Sequence, residues 1–137
     1  VQASLGVKFV LAQVAADAVA KAGPDLAAFR KLESQHAELQ GRLSLFLYAR
    51  DGNDIRARMF APLAGTWEDP ATGSASATLG ALLLSLDGGE AAAYKITQGV
   101  EMGRPSLLNV TSRRVADGYR SRVGGASTPM FRGEALL

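Results

Sequence analysis

The sequence predicts an α+β protein in which a mixed, largely antiparallel sheet is wrapped around one buried helix. Segments rich in β-branched and aromatic residues recur along the chain, and turns rich in Gly, Asn and Pro separate them. Residues 71–86 contain no charged residue and are small or apolar on every side, which is typical of a helix enclosed by other structure. The chain has 137 residues, 47% of them hydrophobic and 20% charged, so we expect residues 1–137 to form a single domain.

The N-terminal third is predicted to contain one strand and one helix. Residues 4–14 (SLGVKFVLAQV) are rich in strand-forming residues. Pro24-Asp25 is a signal for the start of a helix, because Asp is a favoured capping residue. The inner face of this helix is predicted from apolar residues at helical spacing, namely Leu26, Phe29 and Leu32, followed by His36.

A hairpin, a loop and a second helix follow. Strands 43–50 and 55–60 flank Asp51-Gly52-Asn53-Asp54, which is typical of a hairpin turn because Gly and Asn tolerate positive φ. Residues 61–70 contain two prolines and a glycine and are predicted to be a loop. This loop leads into the uncharged helix at 71–86. Four further strands are then predicted, over residues 93–97, 106–112, 118–123 and 128–132.

The composition excludes several kinds of site. The chain has no cysteine, so it has no disulfide, no Cys-ligated metal and no cysteine nucleophile. It has one histidine, His36, so a site with several His ligands cannot form within it. We interpret His36 as a half-buried helix residue next to the apolar face, not as a site residue. No metal and no cofactor are expected.

Charge and hydropathy argue against nucleic-acid or membrane partners. The formal net charge is only +2, and no apolar run approaches the roughly 18 residues that a membrane span requires. Pairs of arginines two residues apart, Arg56 with Arg58 and Arg120 with Arg122, indicate solvated faces of strands. The expected location is the cytoplasm.

The segment from Arg58 to Ala75 contains the most informative arrangement. The N-terminus of the uncharged helix offers unpaired backbone N–H groups and the positive end of the helix dipole, which together suit a carboxylate ligand. Gly73 would allow close approach to the backbone, and Ser74 would add a hydroxyl. Asp69, just before the helix, could exchange a proton with a bound substrate.

A simpler interpretation is open for the same residues. Asp followed by Pro is a favoured pair for the cap and the first position of a helix, so Asp69-Pro70 could serve only to start the helix. The small residues that follow could serve only close packing. The residues alone leave this structural interpretation and the functional one equally open.

The segment FAPLAGTWEDPATGSASATLGALLLSL resembles the signature of the phenazine-biosynthesis PhzF-like isomerase family. In that family F-x-P-x-x-G-x-x-E-D-P-A-T-G-S-A precedes a long apolar helix in the second half of the chain. Further similarity lies downstream, at Gln98-Gly99, at Gly103-Arg104-Pro105-Ser106 and at Val123-Gly124-Gly125. The resemblance covers nearly the whole chain, and the octet EDPATGSA is its specific part.

The resemblance implies a diaminopimelate-epimerase-like fold of two lobes, each a β half-barrel around a central helix, with the active site between them. Asp69 matches the active-site aspartate and Ser74 a serine that contacts substrate, while Gly73 and Ala75 would offer backbone donors. The acid/base glutamate of the family belongs to the first half, together with a histidine in a Gly-His element. Neither motif occurs here, and Glu68 matches a structural position of the octet.

The implied activity is a cofactor-independent isomerisation or epimerisation by proton transfer on a small carboxylic acid. This chain would supply one wall of the site, and we expect it to be inactive alone. The alternative is a non-catalytic lobe that binds a small molecule or mediates oligomerisation. The expected partners are a carboxylate-bearing metabolite and an N-terminal lobe from the same gene or a separate chain, with a homodimer as an alternative. In such folds the last strand can cross to the other lobe, and residues 124–137 are the candidate for that crossing.

Overall fold

A computed structural model describes residues 1–4, 6–39 and 41–134. The strands are β1 (Gln2–Ser4), β2 (Lys8–Gln13), β3 (Leu45–Asp51), β4 (Asp54–Ala61), β5 (Thr66–Asp69), β6 (Ala91–Gln98), β7 (Ser106–Val115) and β8 (Gly118–Gly124). The helices are α1 (Ala16–Lys21), α2 (Leu26–Gln35) and α3 (Gly73–Asp87), and short 3₁₀ turns span Ala37–Leu39 and Pro62–Ala64.

The eight strands form one mixed sheet. Seven of them follow the order β1-β2-β3-β4-β6-β7-β8, and β5 pairs with β4 outside this order. The β2–β3 and β4–β6 pairs are parallel, and all other pairs are antiparallel. The result is an α+β fold with a curled, half-barrel sheet, which confirms the predicted fold class at that level.

Strand β4 pairs with β3 along nearly its whole length, but on its other side it pairs with two different strands. Its first half pairs with β6, up to the pair Ala57–Gln98. Its second half pairs with β5, beginning with the pair Met59–Asp69. The C-terminal ends of β5 and β6 therefore lie next to each other along the same edge of β4, because their last paired residues contact β4 residues that are two positions apart.

The two faces of the sheet carry separate hydrophobic clusters. Because alternate residues of a strand point to opposite faces, Phe46 and Tyr48 of β3 join one cluster, and Leu45 and Leu47 join the other. The larger cluster lies against α3 and contains Leu79, Leu83, Tyr94, Ile96 and Val110 among its members. The smaller one lies under α2 and is centred on Phe29, Leu39, Leu43 and Phe60.

Helix α3 packs closely on β6, β7 and β8 and touches β1. Gly80 permits this approach, because a Cβ at that position would lie 2.6 Å from Val110 Cγ1 and 2.7 Å from Ser112 Oγ. Seven of its fifteen residues are buried, whereas Ala81 and Leu82 are half-buried and Ser85 and Leu86 near its C-terminal end are exposed, so the helix is not buried on every side as predicted. Within the described residues, no helix combines the length and the apolar character needed to cross a membrane.

Several predicted elements need correction in the first part of the chain. The predicted strand 4–14 covers β2 and only the last residue of β1, because the chain reverses at Gly6, which has a φ of 112°, and the two strands pair antiparallel. Helix α1 was not predicted at all. The helix at Pro24-Asp25 is confirmed, since the Asp25 carboxylate accepts hydrogen bonds from the N–H groups of Ala27 and Ala28. His36 lies just beyond the end of that helix and is exposed, not half-buried.

Other corrections concern the second part. The predicted loop 61–70 contains strand β5, and the predicted helix at 71–86 begins two residues later, at Gly73. The predicted strand 128–132 is wrong, because residues 125–134 form neither strand nor helix. Pro129 lies within that segment and has no N–H to donate to a neighbouring strand. Residues 135–137, the end of the proposed crossing segment, lie outside the described residues.

Candidate active site

A cleft of about 560 Å³ opens where β5 ends and α3 begins. Asp69, Thr72 and Ser74 line it, together with Met59 of β4. Further lining residues come from the β1–β2 turn, from the start of β2 and from the connection between α2 and β3, namely Gly6, Val7, Lys8, Phe9, Leu39, Arg42 and Ser44. The structure therefore brings two of the predicted site residues, Asp69 and Ser74, to one concave surface.

Asp69 is held in a defined orientation by the residues that follow it. Its Oδ1 accepts a hydrogen bond from the Ala71 N–H at 3.3 Å, and its Oδ2 accepts one from the Thr72 hydroxyl at 2.7 Å. The side chain is half-buried. Each carboxylate oxygen has a second lone pair, so both can still accept a hydrogen bond or a proton from a ligand.

The first turn of α3 presents unpaired donors beside Asp69. Helix α3 has Thr72 as its N-cap residue, and the Thr72 side chain makes no capping hydrogen bond. The N–H of Ser76 donates to the Thr72 carbonyl at 3.0 Å, which is the first bond of the helix. Among the described residues, no acceptor contacts the N–H groups of Gly73, Ser74 or Ala75. Such a helix start favours an anionic ligand.

The three residues at this helix start differ in position. Ser74 is exposed and lines the cleft. Gly73 is half-buried, and the Ala75 side chain is fully buried in the core cluster, so both lie beside the cleft without lining it. The interpretation of Asp69-Pro70 as a cap and first helical residue is wrong, because the helix starts at Gly73 and the Asp69 carboxylate bonds outside it.

Gln98 and Thr72 were not predicted as site residues. Gln98 is completely buried at the end of β6, and its side-chain amide contacts both ends of the segment 69–72. Gly99 follows it with a φ of 76°, and a Cβ at this position would lie 2.8 Å from the Pro70 carbonyl oxygen. The sequence contained a signal for this contact in the pair Gln98-Gly99, which belongs to the family resemblance.

Glu68 forms an ion pair with Arg58 on the face of the sheet opposite to the cleft. Its two carboxylate oxygens accept hydrogen bonds from Nε and Nη2 of Arg58, both at 2.8 Å. The hydrogen bond to Glu68 raises the pKa of Arg58 above its ordinary value. Arg58 also donates to the backbone carbonyls of Val19 and Ala22 near the end of α1. The prediction of a solvated face for Arg56 and Arg58 is therefore wrong for Arg58, which is buried.

Two cationic side chains at the cleft were also missed. Lys8 and Arg42 line it, and no carboxylate lies within ion-pairing distance of either one in the described part of the chain. Their charges favour an anionic ligand in the same space as the start of α3. Over residues 1–4, 6–39 and 41–134, no group of three or more acidic or His side chains could hold a metal ion.

Two solved structures of related architecture are a PhzF-family protein and a predicted epimerase. The phenazine biosynthesis protein of the PhzF family from Bacillus anthracis superposes with a TM-score of 0.73 at 22% sequence identity, over 89% of this chain and 43% of that one. A predicted epimerase from Pseudomonas aeruginosa superposes with a TM-score of 0.59 at 21% identity, over 89% of this chain and 40% of that one. These similarities establish the fold.

The sequence comparison establishes the family. The sequence profile of the phenazine biosynthesis-like protein (PhzC-PhzF) family matches residues 2–133, and the chain belongs to this family.

Curated relatives of the chain carry isomerase names. A trans-2,3-dihydro-3-hydroxyanthranilate isomerase of Pseudomonas chlororaphis is 35% identical over 120 residues, which cover 83% of this chain and 42% of that protein. An uncharacterised isomerase of Deinococcus radiodurans is 41% identical over 93 residues, which cover 64% of this chain and 29% of that protein. The chain thus spans less than half the length of the curated relatives that it matches.

Proposed function

We propose that this chain forms one wall of the active site of a cofactor-independent isomerase or epimerase that acts on a small carboxylic acid. The observation that carries the proposal is the shared cleft of Asp69 and Ser74 beside the open N-terminus of α3. An oriented carboxylate next to unpaired N–H donors can exchange a proton with a substrate whose own carboxylate is bound at the helix start.

The proposed reaction moves a proton and neither oxidises nor reduces the substrate. A base removes a proton from one carbon, and an acid returns a proton to the same carbon from the other face or to a different carbon, so no electron acceptor is required. Asp69 is the group of this chain that would hold or deliver a proton. Ser74 and the N–H groups of Gly73 and Ala75 would hold the substrate in place.

We infer that the second acid/base group comes from another lobe. Among the described residues that line the cleft, Asp69 is the single carboxylate. The resemblance matches no position of this sequence to the acid/base glutamate of the family, so another lobe would supply it. A second lobe would also close the cleft and exclude water, which proton transfer from carbon requires. The chain alone is therefore expected to be inactive.

The C-terminal segment supports a contact with such a lobe. Residues 125–134 extend beyond β8 without joining the sheet, and Met130 and Phe131 are 75% and 96% exposed. Apolar side chains of this size are normally buried, so their exposure favours a docking role outside this sheet. The same exposure is also compatible with the second candidate function, a non-catalytic lobe that binds a small molecule or mediates oligomerisation.

The test joins this chain to the first half of the Pseudomonas chlororaphis isomerase and follows turnover of trans-2,3-dihydro-3-hydroxyanthranilate. The joined protein is expected to be active and the chain alone inactive. Replacing Asp69→Asn should lower kcat by a factor of about 100 or more, because it removes the proton-exchanging group. The matched control is Asp117→Asn on the exposed β7–β8 turn, which should leave kcat unchanged.

Turnover by the chain alone, or full activity of Asp69→Asn in the joined protein, would contradict the proposal. Tight binding of a carboxylate by the chain alone, unaffected by Asp69→Asn, would favour the non-catalytic function. Expression of the chain in cells followed by fractionation would test the expected cytoplasmic location.

A further inference from the structure

Both N–H donors of the Gln98 side-chain amide bond to the segment 69–72, which carries Asp69. Gln98 is 0% exposed. Its Nε2 donates to the Asp69 carbonyl oxygen at 2.6 Å and to the Thr72 hydroxyl oxygen at 2.9 Å. Its Oε1 accepts from the Thr72 N–H at 3.0 Å. Three hydrogen bonds thus connect one buried amide to two residues of the same short segment.

The chemistry of the partners determines the direction of each bond. The Thr72 N–H can only donate, so it must face Oε1 of Gln98, and the Asp69 carbonyl can only accept, so it must face Nε2. The Thr72 hydroxyl therefore accepts from Gln98 and uses its own proton for Oδ2 of Asp69, at 2.7 Å. A directed chain of hydrogen bonds runs from Gln98 through Thr72 to the Asp69 carboxylate.

The change of partner along β4 explains why these residues meet. Gln98 pairs with Ala57, and Asp69 pairs with Met59. Ala57 and Met59 are two residues apart and point to the same face of the sheet, so the paired residues lie on that face too. Residues 29 positions apart in sequence are in this way brought into direct contact.

We propose that Gln98 is a positioning residue for Asp69, which sets the direction of its carboxylate through the Thr72 hydroxyl. The consequence for catalysis rests on the proposed function, whereas the hydrogen-bond relay does not. The amide also satisfies two backbone groups, the Thr72 N–H and the Asp69 carbonyl, which an apolar side chain would leave without a partner. Its third bond, from Nε2 to the Thr72 hydroxyl, is the one that fixes the proton of that hydroxyl on the Asp69 carboxylate. The amide is explained if its task is to restrain the segment 69–72.

The relay itself is tested by nuclear magnetic resonance of the chain, with ¹³C labelling of aspartate carboxyl groups. Replacing Gln98→Met or Thr72→Val is expected to shift the Asp69 carboxyl resonance in the same direction. The combined variant should shift it by less than the sum of the two single variants, because part of the effect of Gln98 reaches the carboxylate through that hydroxyl and part through its direct bond to the Asp69 carbonyl. Thr72→Ser keeps the hydroxyl and should retain the wild-type resonance.

The control is Ser112→Ala, which removes a buried hydrogen bond from β7 to Ser121 but touches no residue of the relay. It should leave the Asp69 resonance in place. Additive shifts from Gln98→Met and Thr72→Val would overturn the relay, and so would an unchanged Asp69 resonance in Thr72→Val. Thr72→Val is nearly isosteric, so an unchanged Asp69 resonance in this variant refutes the relay even where Gln98→Met does not fold.

The catalytic consequence is tested in the joined two-lobe protein. Gln98→Met and Thr72→Val should each lower kcat by a factor of about 10 to 100, because a misdirected catalytic group costs rate more than binding. KM should change far less than kcat, and Thr72→Ser should restore kcat. Loss of kcat in Thr72→Ser as large as in Thr72→Val would overturn a positioning role.

The two failures can be told apart. If the joined protein is inactive with wild-type residues at both positions, the proposed function fails, and the resonance of Asp69 in the chain still decides the relay. If the joined protein is active and neither Gln98→Met nor Thr72→Val changes kcat, the positioning role fails and the proposed function stands.

Discussion

The buried ion pair between Arg58 and Glu68 allows a sharp prediction about stability. The two side chains are only 8% and 11% exposed, and they share two hydrogen bonds of 2.8 Å. Replacing either one with Met leaves the other charge buried with its main partner removed. Loss of one member of such a pair typically costs about 3–5 kcal/mol of unfolding free energy.

The double replacement should be less harmful than either single one. With both residues changed to Met, neither charge of the pair is left behind, and Glu101, which also lies 3.8 Å from Arg58, keeps its ion pair with Arg56. Packing of the two apolar chains offsets part of the loss. The carbonyls of Val19 and Ala22 still lose the donor that Arg58 provided, at about 1 kcal/mol each. We therefore expect the double variant to be about 2–3 kcal/mol less stable than the wild type, and each single variant to be less stable than the double.

The assay is urea unfolding of the four proteins, with the midpoint compared at constant slope. Lys21→Met is the control, because the Lys21–Asp17 pair is exposed and its loss should cost no more than about 0.5 kcal/mol. A double variant as unstable as the sum of the two single variants would refute the reasoning. It would mean that the pair has no coupling energy and that each side chain acts through packing alone.

Two further predictions concern the Gly99 contact and the acid sensitivity of the fold. Gly99→Ala should lower the unfolding free energy by about 2–4 kcal/mol, from positive φ plus overlap with the backbone carbonyl oxygens of Arg104 and Pro70. Gly52→Ala, also at positive φ but in open space, should cost about 1–2 kcal/mol in the same urea titration. Hydrogen bonds from Arg50 hold the pKa of Asp87 below its ordinary value of 3.8, so this pair stabilises the fold above about pH 3.8 and the stabilisation is lost as pH falls through the lowered pKa. Thermal unfolding from neutral pH to about pH 2 should thus show a steeper loss for the wild type than for Asp87→Asn, and equal slopes would contradict this assignment.

The elements that could be predicted from the sequence are those that depend on residues close together in the chain. The hairpin at residues 51–54, the cap at Asp25 and the uncharged helix depend on neighbours in sequence, and each is present in the structure. Strand β5 could not be predicted in this way. It is only four residues long and lies between the turn residues 62–65 and Pro70, which dominate the local pattern. Its pairing with β4 and the bonds from Arg58 to Glu68 hold it in the sheet.

The same distinction applies to the residues of the candidate site. Asp69 and Ser74 could be predicted because the octet that contains them is contiguous. Gln98 could not be assigned a role, because its contact with Asp69 depends on a register that no local pattern encodes. Arg58 was misassigned for a related reason, since spacing of two residues shows which face of a strand a side chain occupies but not what covers that face.

The partner change on β4 has a consequence for how this chain tolerates sequence change. The positions of Asp69 and Gln98 are both set by backbone pairing with one short segment of β4, Ala57–Met59. The helix and turns that connect the two residues in sequence do not set the distance between them. Insertions or deletions in the α3–β6 connection at Gly88-Gly89 would therefore leave the distance between the two residues intact. A shift of β4 by a single residue would instead change its register with β5 and β6 at once, so β4 is the strand in which such a change would be least tolerated.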